Sequence, residues 1–170
     1  MAQQALGRLF DIGLGAPPAA TNGVVTGKRI HLKQCGGVTV VLVGGVATGG
    51  DDLQVDLQQH TAASGGTPAD LDVITKYWIK SAVALDNSET WTEYSQAAAS
   101  EIAVAASETT DVEQNILVFE VEATSLSDGY EWISVNVPDL GAGDKTLTVL
   151  YFARDLAAQR APANLPALLT

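Results

Sequence analysis

Two histidines and a single cysteine have the widest chemical repertoire in this sequence, yet their surroundings give them little to work with. His31 stands on an alternating stretch that reads as a strand. Cys35 lies four residues on, directly before Gly36-Gly37 and so beside a turn. A Cys–His dyad here would need the base within hydrogen-bond reach of the thiol and a third group to orient it, and the sequence supplies neither signal. No Gly-x-Ser-x-Gly elbow is present. A buried thiol and strand-surface imidazoles account for His31, Cys35 and His60, and no catalytic residue is expected.

Two glycine-rich stretches, "GLGAPP" and "GGVATGGDD", have the composition of phosphate cradles. The first has no strand before it or helix after it, and the second lacks the Lys-Ser/Thr of a P-loop. Both read as turns. Asp51, Asp52 and Asp56 cluster as oxygen ligands for a hard cation would, but not at EF-hand spacing, and Asp51-Asp52 sit where a hairpin turn favours acids. No cofactor is expected. The aromatics are more telling: Trp78 beside Tyr77, Trp91 near Tyr94, and Trp132 near Tyr130 suit a sugar-stacking platform, or an interface.

The elements that must carry these residues are short. Runs such as "RIHLK", "VTVVLV", "LQVDLQ", "KYWIKSAV", "TWTEYS", "NILVFEVE", "YEWISVNV" and "KTLTVLYFA" alternate or are β-branched, and are bounded by Gly, Asn, Asp and Pro. They predict about eight strands in an all-β, antiparallel β-sandwich of jelly-roll type. "LQVDLQ" places Leu53, Val55 and Leu57 on one face. "VTVVLV" is continuously apolar, as a strand covered on both faces would be. "QAAASEIAVAAS" fits a helix by its alanines and a strand by Ile102 and Val104. "TSLSDG" suits a single helical turn.

At 170 residues and 46% apolar, the chain is long enough for one domain with a proper core. Its longest uncharged apolar run is broken by glycine and too short to span a bilayer, and Arg8 and Asp11 interrupt any signal-peptide core. One cysteine excludes an intrachain disulfide and a thiolate-rich zinc site. A net charge of −11 argues against a broad nucleic-acid face. That charge is uneven. Residues 34–153 hold eighteen acids against three lysines, a formal −15, while the two ends hold six cations against two acids, a formal +4. Basic ends on an acidic body suit arms that seek an acidic surface, and equally suit solvated termini.

Both ends read as lying outside the core, which divides the chain into an N-terminal arm over 1–27, a sandwich over 28–153 and a C-terminal arm over 154–170. The last residues, "RAPANLPALLT", are held extended by their prolines, after a possible short helix from Asp155 to Gln159. Burying a leucine is worth roughly 1.5–3 kcal/mol, so Leu165, Leu168 and Leu169 are expected to be docked, either on their own domain or on another subunit.

Three stretches together resemble small β-rich structural proteins of tailed-bacteriophage virions, especially head decoration (cement) proteins. They are "RIHLKQCGGVTVVLVGGVA", "ILVFEVEATSLSDGYEWISVNVPDLGAGDKTLTVLYFARD" and "RAPANLPALL", and they cover about half the chain. The resemblance implies a non-catalytic protein, made in the host cytoplasm, that coats the capsid surface. Its partners would be the major capsid protein and copies of itself, as a homo-oligomer such as a trimer, with no nucleic acid and no membrane. On this reading the arms lie across neighbours. Arg8, Arg154 and Arg160 pair with a partner's carboxylates, and Leu9, Phe10, Leu165, Leu168 and Leu169 fill apolar pockets. A tail-tube or minor tail component is the alternative, and a carbohydrate-binding, adhesin-like virion module is a further one.

Overall fold

Period-two alternation is the dominant signal in the sequence, and in the computed structural model it produces two antiparallel sheets with one core between them. Residues 4–47, 53–104, 113–140 and 145–169 are described. They form eleven strands: β1 (Phe10–Ala20), β2 (Ile30–His31), β3 (Gly37–Gly44), β4 (Gln54–His60), β5 (Ala69–Asp70), β6 (Ile74–Ala82), β7 (Thr92–Ala99), β8 (Glu101–Ala103), β9 (Gln114–Glu122), β10 (Trp132–Asn136) and β11 (Thr146–Arg154). The larger sheet runs β1-β11-β3-β9-β6-β7. The smaller runs β2-β10-β4-β5, with β8 also on β4.

The chain is thus the expected all-β antiparallel sandwich, with more strands than the eight read from the sequence. The additions are β1, β5 and β8. β5 and β8 span two or three residues each, too few to show a period, and β2, read from "RIHLK", is itself only two residues long. The Ala-rich ambiguity resolves as strand where it is described: it extends the strand read from "TWTEYS" to Ala99 as β7 and supplies β8. "TSLSDG" overlaps a 3-10 turn at Ala123–Ser125. No helix forms over Asp155–Gln159; a 3-10 turn follows at Pro162–Asn164.

The core sits where the inward rows of the sheets meet. Val38, Val40 and Leu42 of β3, Leu117, Phe119 and Val121 of β9, and Val149 and Tyr151 of β11 face Val55 and Leu57 of β4 and Ile133 and Val135 of β10. Each large side chain removed from water contributes roughly 1.5–3 kcal/mol, which offsets the chain entropy of fixing so many strands. "LQVDLQ" behaves as its alternation requires: Leu53, Val55 and Leu57 are all buried. Tyr151 adds a polar link between the sheets. Its hydroxyl accepts the Val135 N–H at 2.9 Å and donates to the Lys28 carbonyl at 3.1 Å. Burial pushes its pKa well above the phenol range.

The segment 1–27 expected as an arm contains the edge strand β1, paired with β11 from Phe10↔Arg154 to Ala20↔Thr146. Glycine and proline disguised it. The pairing shifts register between Leu14 and Ala16 and again between Ala16 and Ala19, across Pro17-Pro18. Proline has no N–H to give a ladder, and an edge strand with irregular pairing is where it is tolerated.

Candidate partner-binding surface

The outward row of each strand follows from the register. Opposite residues of an antiparallel pair share a face, so Leu14, Leu150, Val41, Val118 and Trp78 form one continuous row across the larger sheet. Ile12 with Phe152 on one side, and Val43 with Ile116 on the other, widen it. Trp91 borders the far edge with Trp78 and Val118. Ile12 is 46% exposed, Leu14 43%, Val43 38% and Trp91 47%; the rest are half-buried. At the usual strand spacing the face is about 24 Å across.

Here the reading of "VTVVLV" as a strand covered on both faces fails. Val38, Val40 and Leu42 are buried, but Val41 is half-buried and Val43 exposed. The sequence carries the apolar side chains for two covered faces, and the fold of one chain covers only the inner one.

The charges on this face are balanced and paired. Arg154 Nη2 donates to Glu122 and lies 4.0 Å from Glu120, while Nη1 donates to Asp155 at 2.9 Å. The hydrogen bond from Glu122 is the largest cause raising the Arg154 pKa. Lys76 Nζ donates to Glu93 at 2.8 Å, which holds that carboxyl below its usual range. Lys80 Nζ sits 4.8 Å from the centre of the Trp91 ring. On a chain with formal charge −11, Lys76, Lys80 and Arg154 against Glu93, Glu120, Glu122 and Asp155 leave this apolar patch close to neutral.

The residues singled out as partner contacts fall into two groups. Phe10 packs edge-on against Phe152 at 5.7 Å, beside the apolar face. Arg154 is engaged by its own chain. Arg8 and Leu9 are exposed, Leu9 at 68%. The tail lies on its own domain: the His31 N–H donates to Leu168 O at 2.8 Å, the Arg160 N–H to Gly7 O at 2.9 Å, and the Trp132 indole to Leu169 O at 3.3 Å. Leu168 packs against the core, and Leu165, half-buried, lies against Gly7. Gly7 has φ +81°, and a Cβ there would sit 2.3 Å from Arg160 O, so only glycine lets the two ends meet.

The smaller sheet turns a polar face outward. His31 stacks on Trp132 at 4.4 Å, with Nε2 3.2 Å from Glu131 Oε2. Asn136 Nδ2 donates to Gln58 Oε1 at 3.0 Å and to Asp56 Oδ2 at 3.3 Å, and its Oδ1 accepts the Gly27 N–H. His60 Nε2 and Ser134 Oγ are 2.8 Å apart, a Ser–His contact the sequence reading missed. The register Trp132↔His60 and Ser134↔Gln58 puts both on one face, but strand pairing across seventy residues leaves no local signal. Both residues are buried, and His60 Nδ1 has no partner among the described residues, so no third group orients the ring as a triad requires. Burial, then the Arg29 charge, lower the His60 pKa, and burial raises that of Asp56. Burial likewise pushes the Cys35 thiol up, away from the reactive thiolate. Asp51 and Asp52 lie outside the described residues; among the described residues no group of three or more His, Cys, Asp or Glu could hold a metal.

No protein family, curated protein or solved structure matches this chain.

Proposed function

We propose that this chain is a non-catalytic virion assembly protein of the decoration class, which binds a capsid shell through the outer face of its larger sheet. The observation that carries the reading is the apolar, charge-balanced row from Leu14 to Trp78, left bare by the fold. Contiguous apolar faces of this kind mark interaction sites on soluble proteins. Its large aromatics at the Trp78–Trp91 end suit the anchors of protein interfaces. The partner contact assigned to the tail moves to this face, because Leu165 and Leu168 already lie on their own domain, although Leu169, expected to be docked, is 46% exposed.

The test compares the full chain with a Val41→Asp/Val118→Asp variant, by sedimentation with empty heads of the phage that encodes it. The full chain should co-sediment and the variant should stay in the supernatant with its thermal transition retained. Equal binding by both would overturn the assignment of this face. Polymerisation of the full chain alone into rings or filaments would replace the decoration reading with the tail-component one.

A further inference from the structure

At one end of the larger sheet, two side chains with complementary chemistry are buried in the sandwich beside a half-buried carboxylate. Lys145, directly before β11, is 1% exposed, the only lysine among the buried residues. Asn115 of β9 is 0% exposed, and neither its Nδ2 nor its Oδ1 has a hydrogen-bond partner among the described residues. Glu113, two residues before Asn115, accepts from Lys145 Nζ through its carbonyl at 3.3 Å, and its carboxylate accepts from Ser81 Oγ at 2.5 Å. Ser81 is the register partner of Asn115 on β6.

Gly44 brings the lysine and the asparagine together. It pairs with Asn115 on one side and Leu147 on the other. Above its Cα, the point where a Cβ would stand is 2.6 Å from Asn115 Oδ1, 3.3 Å from Asn115 Cγ and 2.9 Å from Lys145 Cε. The two side chains therefore fill one space over the glycine, and any larger residue at position 44 would displace them. A buried primary amide without partners is a costly choice for a core position that leucine or valine could fill. An amine beside it and a carboxylate on the adjoining residue pair make the choice intelligible.

We propose that Lys145 and Asn115 form an intramolecular amide crosslink, assisted by Glu113. The neutral Nζ attacks Asn115 Cγ and the Nζ–Cγ bond forms. The Glu113 carboxylate takes the proton from Nζ and passes it to Nδ2, and the Cγ–Nδ2 bond breaks. A primary amide and an amine become a secondary amide and ammonia; no electrons are exchanged and no cofactor enters. Exclusion of water protects the amide carbon from hydrolysis during the exchange. The product ties β9 to the start of β11 across β3.

The chain has no lysine or arginine between Lys80 and Lys145, so trypsin gives a clear readout. The expected result for the folded, purified full chain is an intact mass lower than the sequence mass by one ammonia, about 17 Da, and a single peptide 81–154. Fragmentation after further cleavage at Glu120, Glu122 and Glu131 should show a branch between positions 115 and 145. An unshifted mass, with separate peptides 81–145 and 146–154, overturns the proposal. So does a shifted mass with cleavage after Lys145 intact, which would be cyclisation at an asparagine. Asn115→Leu, whose side chain suits the apolar surroundings, should restore the sequence mass and the cut after Lys145. Glu113→Gln should remain unlinked after folding; full linkage in that variant overturns the part given to Glu113.

Discussion

Trp78 of β6 and Val118 of β9 stand directly opposite each other, both pointing away from the core. Their pairing continues a row that runs through Val41 and Leu150 to Leu14 at the far edge. Five neighbouring strands thus each contribute an apolar side chain to one outward-facing row.

That relationship is testable without any partner. The folded chain should enhance the fluorescence of an apolar dye such as ANS, and Val118→Asp should remove most of that enhancement. Surface substitutions away from packing features usually cost under about 0.5 kcal/mol; this half-buried position should stay near 1 kcal/mol, or about 2–4 °C in Tm. Dye binding no greater than that of an ordinary globular control would show that the row is not available to ligands.

Tyr151→Phe removes a hydroxyl that joins the sheets through Val135 and Lys28. Both groups would be left without that bond in the interior, which costs about 1–3 kcal/mol. Urea unfolding should show a lower midpoint with an unchanged slope. An unaltered midpoint would mean that water replaces the hydroxyl.

Acid should weaken the fold through His60. Its native pKa is lowered, by burial first and by Arg29 second, whereas the unfolded chain takes the proton near the ordinary value of about 6.5. Below that pH the unfolded state binds more protons, so stability is lost as pH falls through about 6.5 toward the native value. Between pH 7.5 and 5.5 the wild type should lose more Tm than His60→Gln, whose amide can still reach Ser134. Parallel curves would place the acid sensitivity elsewhere.

Removing residues 161–169 should lower the thermal stability of the isolated protein. The His31 N–H would lose its acceptor at Leu168 O, and Leu168 would leave its seat near Gly13 and Ile30. Partial burial of Leu165 and Leu168, with the hydrogen bonds to Leu168 O and Leu169 O, suggests a loss of about 2–5 kcal/mol. Unchanged stability in calorimetry would mean that the docked path contributes nothing in solution.

The fold was readable where side chains alternate over seven or more residues, as Leu53, Val55 and Leu57 do, because period two needs that length to show. β1 was hidden by Pro17 and Pro18, which suit an arm as well as they suit an irregular edge. The bare face was half visible in "VTVVLV": the apolar content was correctly seen, but not which side would be left uncovered. That depends on which strands lie beneath, and register across distant strands is not a local property. The same limit hid Ser134 with His60, and Asn115 with Lys145. Terminal leucines announced that they would be covered and said nothing of by what.

The pairing of β1 with β11 has a consequence for biosynthesis. Of the strands in the larger sheet, β1 with Phe10 is made first, and its partner β11 with Arg154 is made after all the others. The edge of the larger sheet therefore cannot close until β11 has been made, and the middle strands must wait with an incomplete cover. Pairing between such distant segments slows folding and keeps apolar rows open to other nascent copies. Yield in the cell should thus depend on how quickly the final strand is released and finds the first.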